Sequence, residues 1–315
     1  MKQEMNKKTI STNNPSDQEI IENFKRIHES RKRMFHYTSI EAFYKIIEGI
    51  KDDAFTFRAG SIYTMNDSQE MVLGYKSIMK CLPIIEDRLK IERDERISVF
   101  TNSKSTNRVI LEKFCEWLIN DDITNFVVSF SAASDILPMW THYGGMGTGV
   151  CLVFSPYIIE EYYKQEYKDI PLLIKHCVYN EDKIQEFLLE ELKVEYKTFL
   201  NSYNKAEKID PVTKMKCLAS MCGITGAFVK HLAFEYEQEI RMNIFRHKEE
   251  WKCAETRNGH HSVYVEVAIP TNALTNIIVG PAANMDKEKN ALTMALRTKG
   301  IKIEPVQSKI PYRLY

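Results

Sequence analysis

The chain alternates short apolar runs of strand length with longer segments of helical periodicity. Between Asp17 and about residue 33, Ile20, Ile21, Phe24 and Ile27 recur at helical spacing and predict a lead-in helix behind a polar tail of about 17 residues. Met34 to Thr38 reads as a strand, and Ser39 is placed to cap a helix over 40–48 that Gly49 ends. A β-prone run follows over 55–63, then a turn at NDSQE and helices over 69–93 and 106–119. Strands are predicted at 126–131, 149–154, 234–245, 262–269, 274–279 and 302–306, and residues 155–231 read as a helical insertion with a polar break near 203–212.

Strands scattered along the chain and separated by helices of unequal length, with no steady βαβ rhythm and no GxGxxG, predict an α+β fold with a mixed or antiparallel sheet. No break in composition divides the 315 residues, so the expected organisation is a tail and lead-in helix over 1–30 and a single α+β domain over 31–315. The 43 basic residues balance the 43 acidic ones, which removes any global field for nucleic acid. No apolar run reaches the ~20 residues of a membrane span and the first residues lack a secretory pattern, so the expectation is a soluble cytoplasmic protein without a membrane partner. The seven cysteines form no CxxC pair and no zinc-like spacing with histidine, and they read as reduced thiols, with Cys151 in the core.

Four segments carry candidate chemistry. In FHYTS, His36 stands with Tyr37 and Thr38 at a strand end, where a histidine can hold a ribose hydroxyl or move a proton, or can simply satisfy nearby backbone. In FRAGSIYTMNDSQE, Tyr63 closes a strand, and Asp67 and Glu70 suit the first turn of a helix; as metal ligands they would need more oxygen partners than the loop supplies. In the loop 131–149, Trp140 and Tyr143 beside Gly144 and Gly145 could present aromatic faces to a planar ligand, or Trp140 could be plain core; His142 is expected to face solvent. Read as a strand, AFEYEQEIRMNIF puts Glu235, Glu237, Glu239 and Arg241 on one face, turned to water or to a polar cleft.

Together these segments resemble a bacterial family of unknown function. Its pattern here is His36-Tyr37-Thr38, Asn66-Asp67 with Glu70, Ser129-Phe130-Ser131 with Asp135, Met139, Trp140 and Tyr143, then Lys230, Phe234, Glu237, Glu239 and Arg241, closed by IIVGP at 277–281. The order His36, strand-end Tyr63 and late-strand glutamate also resembles the ADP-ribosyltransferases related to diphtheria toxin and the poly-ADP-ribose polymerases. That resemblance implies a split sheet around an NAD cleft. His36 would hold the NAD ribose, with Tyr37, Thr38 and Arg241 in the same binding set, and Tyr63 would stack on nicotinamide, with Trp140 or Tyr143 as substitutes. Glu239, paired with Glu237 in an ExE, would stabilise the oxocarbenium-like transition state. The activity implied is transfer of ADP-ribose to a macromolecular acceptor, protein or nucleic acid, as in a toxin or anti-phage effector with a neutralising partner protein. The alternatives are a noncatalytic nucleotide- or partner-binding module that keeps the cleft, and a metal-dependent hydrolase using Asp67 and Glu70.

Overall fold

A computed structural model of the chain describes residues 32–62, 70–98, 123–168, 170–202, 209–255 and 261–314. Strand β1 (Met34–Thr38) leads into α1 (Ile40–Glu48), where Ser39 Oγ accepts the Ala42 N–H at 3.2 Å and Gly49 closes the last turn. The capping hydroxyl satisfies a backbone donor that the helix itself leaves unpaired, so this junction forms where the sequence predicts it. Then come β2 (Ala54–Ser61), α2 (Glu70–Arg88), β3 (Ile123–Ser131), the short α3 (Leu137–His142), β4 (Val150–Phe154) and α4 (Pro156–Glu166). Next are β5 (Leu172–His176), α5 (Glu181–Ser202), α6 (Pro211–Ile224), β6 (Glu239–His247), β7 (Lys252–Glu255) and β8 (His261–Pro270). The chain ends through β9 (Leu274–Val279), α7 (Met285–Thr298) and the two-residue β10 (Val306–Gln307).

The described residues form an α+β fold with a ten-stranded mixed sheet, antiparallel except where β10 runs parallel to β9. Strand β3 is its pivot. Along one edge it pairs with β6 over its whole length, Ile123 opposite His247 to Ser131 opposite Glu239. Its other edge is shared: β1 meets it at Ser131, and β2 meets it at Phe126 and Val127. Between those contacts, residues 128–130 have no strand partner on that side among the described residues, so β1 and β2 diverge there.

Strand alternation sorts the two faces. On one, Met34, Phe57, Phe130, Phe154 and Met242 pack under Phe43 of α1, Ile159 of α4 and Leu292 of α7. On the other, Tyr37 and Cys151 pack with Met139 and Trp140 of α3, while α2, α5 and α6 form a helical layer with its own core of Ile78, Leu82, Leu188, Leu192 and Leu218. That layer docks through polar contacts: the amides of Asn125 and Asn243 both donate to the Gly223 carbonyl, at 3.1 and 2.9 Å.

Several expectations need correction. The helical insertion contains a strand, β5, whose LLIKH pairs with β6; five residues are too few to show a period against the long helices around them. The strand expected from Phe234 begins only at Glu239, because Leu232–Glu237 is a 3-10 segment ended by Gln238 in the left-handed conformation (φ 43°). The closing strand is Val306–Gln307, while β7 and α7 were not foreseen. The tail, the lead-in helix, the helix over 106–119, Tyr63, Asn66 and Asp67 lie outside the described residues, as does the side chain of Glu70. Among the described cysteines none forms a disulfide; Cys151 is buried as expected, and Cys253 is exposed. Among the described residues no helix is long and apolar enough to cross a membrane.

Candidate functional site

A cavity of about 430 Å³ opens where β1 and β2 diverge over β3, within the size range of small-molecule sites. Its walls come from Phe35 and His36 of β1, Arg58 and Gly60 of β2, residues 127–130 of β3, Met139 and Tyr143 near α3, and Lys230, Phe234, Glu237 and Glu239.

The chain places the two glutamates by a run of local anchors. The Lys230 N–H donates to the Val178 carbonyl at 3.0 Å, fixing the segment beside the end of β5. His231 Nδ1 accepts the Ala233 N–H at 3.1 Å and starts the 3-10 turn. Ser131 Oγ donates to the Glu237 carbonyl at 2.6 Å, and the Ala132 N–H donates to the Gln238 carbonyl at 2.8 Å. The end of β3 therefore holds both glutamates in place through their backbone.

Their side chains form a buried network of two anions and two cations. Lys230 Nζ donates to Glu237 Oε2 at 2.5 Å and to Glu239 Oε2 at 2.9 Å, and lies 4.7 Å from the centroid of the Phe234 ring. Arg241, fully buried, donates through Nε to Glu239 Oε1 at 3.0 Å, through Nη2 to Oε2 at 3.1 Å, and through Nη1 to the Ala227 carbonyl at 2.5 Å. Tyr143, 47% exposed, donates its hydroxyl to Glu237 Oε1 at 2.7 Å. Burial pushes the Glu239 carboxyl up, but Arg241 and Lys230, with a hydrogen bond from the Ser129 side chain, outweigh it and hold the pKa at about 2. Glu239 is a fixed negative charge at any physiological pH. Burial, and next the hydrogen bond to Glu237, raise the pKa of the Tyr143 hydroxyl, so it remains a donor.

His36 sits on the face of β1 opposite Tyr37, its ring edge-on to Phe57 at 5.1 Å and Phe130 at 5.6 Å. Its Nδ1 lies 3.1 Å from the Ser129 carbonyl, which only accepts, so Nδ1 carries the proton and the neutral ring keeps an acceptor at Nε2. Burial lowers its pKa more than the Ser129 contact raises it, so the neutral form is favoured.

The structure thus brings His36, Tyr143, Glu237 and Glu239 to one cavity. Tyr37 also borders it, but its hydroxyl is spent on the Ala133 carbonyl at 3.0 Å and its ring packs on Trp140 at 4.9 Å. Trp140, Thr38 and Arg241 are buried away from its walls: the Trp140 indole donates to Asp135 Oδ1 at 2.9 Å, Thr38 closes β1 opposite Val150, and Arg241 stands behind Glu239. Gly144 serves that packing, since a Cβ on it would fall 2.5 Å from the Trp140 ring. Asp135 is a clamp that also accepts the Lys309 N–H at 2.7 Å. His142 is exposed, as expected. Tyr63 lies outside the described residues. Sequence reasoning left Lys230 and Arg58 out of the site; the signals were a lysine seven and nine residues before the two glutamates, and one charge inside the apolar run of β2.

Among the described residues no group of three or more His, Cys, Asp or Glu side chains is arranged to hold a metal ion. Residues 139–242 match the model of a family described as a protein of unknown function (DUF2971). The match takes in Met139, Trp140, Tyr143 and the 230–242 segment; the His36 motif lies outside it. Comparison with curated proteins and with solved structures finds no match.

Proposed function

We propose that this cavity binds NAD and that the protein is an ADP-ribosyltransferase-like enzyme cleaving the nicotinamide–ribose bond. The observation that carries the reading is the convergence of His36, Glu237 and Glu239 on one cavity beside the divergence of β1 and β2, with Glu239 held as a carboxylate. Apolar and aromatic walls from Phe35, Met139, Tyr143 and Phe234 suit a planar ring, and the lone pair at His36 Nε2 can accept from a ribose hydroxyl.

Departure of neutral nicotinamide with the C–N electron pair leaves positive charge on the ribose. Two preorganised carboxylates in a site poor in water stabilise that charge as it develops, and losing such a group costs roughly 10²- to 10³-fold in rate. A nucleophile on the acceptor, or water, then bonds to the anomeric carbon and loses its proton. Lys230 and Arg241 keep Glu239 ionised, Lys230 also bridges it to Glu237, and Tyr143 fixes the outer oxygen of Glu237. On this reading the protein acts in the cytoplasm on a macromolecule, as a toxin or anti-phage effector, and a neutralising partner would mask the cavity.

The test is nicotinamide release from NAD by wild type, Glu237→Gln and Glu239→Gln, each checked for folding by circular dichroism, with and without lysate as a source of acceptor. Loss in folded variants supports the reading; wild-type rates in both reject it. One observation favours a noncatalytic binding module instead: all four carboxylate oxygens of Glu237 and Glu239 already accept hydrogen bonds from Tyr143, Lys230 or Arg241. Tight NAD binding by calorimetry with no nicotinamide released would select that reading.

A further inference from the structure

We infer that Arg58, beside the open space above Gly60, is the anion-recognition element of this cavity, and that the ligand it selects carries a diphosphate. This deepens the NAD reading and rests on it for the identity of the rest of the ligand.

The first argument is charge balance. Of the charged side chains at the cavity, Glu237 and Glu239 are matched by Lys230 and by Arg241 behind them, so that network is neutral. Arg58 is left over. It is exposed, and among the described residues it makes no ion pair; its register partner on β8, Glu266, is engaged by Lys252 at 2.7 Å. A cavity whose described charged side chains leave one cation unbalanced at its wall favours an anionic ligand over a neutral one.

The second argument is preorganisation. The Arg58 guanidinium lies 4.6 Å from the centroid of the Tyr264 ring. A guanidinium stacked by its face keeps the N–H groups of its edge available, and that fork matches two phosphate oxygens. Stacking also limits the rotamer freedom that a lone surface arginine would lose on binding.

The third argument is room. Gly60 shares the Arg58 face of β2, opposite Tyr264 on β8 and Val127 on β3, and a Cβ built on it meets nothing within 4 Å among the described residues. Its backbone is ordinary extended strand, so nothing in its conformation demands glycine. The missing side chain leaves the cavity wall open beside the arginine.

The experiment measures binding of ADP-ribose, ADP, adenosine and inorganic pyrophosphate to wild type, Arg58→Gln and Gly60→Val by calorimetry at two salt concentrations. Wild type should bind ADP-ribose and ADP more tightly than adenosine, and more weakly as salt rises. Arg58→Gln should weaken the two nucleotides roughly ten- to a hundredfold, the range for a hydrogen bond to a charged group, and leave adenosine unchanged. Gly60→Val should weaken all three nucleosides and nucleotides, with wild-type thermal stability. Equal affinity for adenosine and ADP-ribose, wild-type affinity in Arg58→Gln, or no binding of ADP-ribose by wild type would overturn the proposal. Pyrophosphate bound as tightly as ADP would keep Arg58 as the diphosphate element and reject the nucleoside part of the NAD reading. Arg58-dependent binding of ADP-ribose without nicotinamide release from NAD would instead reject the enzyme reading and keep this one.

Discussion

Glu86 in α2 and Glu239 at the start of β6 are both carboxylates withdrawn from water, and they are held by opposite means. Among the described residues Glu86 accepts from neutral groups: the Ile97 N–H at 2.7 Å, the Ser98 N–H at 3.0 Å, the Ser98 hydroxyl, and the Tyr196 hydroxyl at 3.0 Å. Those bonds tie the segment after α2 and helix α5 to one point in the helical layer. Glu239 accepts from two cations and borders a cavity. Neutral donors make a buried carboxylate a structural tie, whereas paired cations keep a charge in place where a ligand can meet it. Burial by itself does not separate the two acids; the charge and position of their partners do.

The largest test of this difference is Glu239→Gln. Nicotinamide release should fall roughly 10²- to 10³-fold, and stranding Arg241 in the core should cost about 3–5 kcal/mol in urea unfolding. Adding Arg241→Met should recover much of that stability and none of the activity, because an uncharged pair no longer leaves a buried cation unmatched. A double variant that regains activity would sink the catalytic role of the carboxylate. Glu86→Ala should cost about 1–3 kcal/mol for the donors it strands, with wild-type affinity for ADP-ribose. Altered affinity there would mean that the helical layer shapes the cavity.

The pH profile sharpens the comparison further. Glu239 has a folded pKa of about 2 against an ordinary 4.5, so its stabilisation is fully present above about pH 4.5 and lost as pH falls toward 2. The loss amounts to roughly 3 kcal/mol, and Glu239→Gln should abolish it. A pH dependence of opposite sign is expected at Glu195 in α5, whose carboxyl is raised to about 8, first by burial, and whose Oε2 is buried without a hydrogen-bond partner among the described residues. There the unfolded chain gives up its proton first, so stability falls as pH rises from about 4.5 to 8. Glu195→Gln should flatten that slope in thermal melts; an unchanged slope would show that the folded carboxyl ionises normally.

Local signals in the sequence were enough for β1, the Ser39 cap, α1 and the burial of Cys151, because a cap, an apolar stripe and a run of core residues depend on near neighbours. Glu237 and Glu239 were legible as a pair, and Ile240 and Met242 as the apolar face behind them. Their setting was not. The 3-10 turn over 232–237 follows from contacts with Ser131 and Ala132, a hundred residues away in sequence, and no local period reports such contacts. Trp140 and Arg241 looked like ligand contacts because a motif shows residue type without direction; both are supports behind the cavity walls.

What the sequence by itself determined is an α+β chain with apolar strands, neutral overall charge and an ExE beside a lysine and an arginine. Only the tertiary structure decided that β1 and β2 share one edge of β3 and part there, that Lys230 bridges the two glutamates, and that Arg58 stays without a counter-ion among the described residues. Strand registry and charge pairing join residues distant in the chain, so their energies are fixed by packing and cannot be read from any single segment.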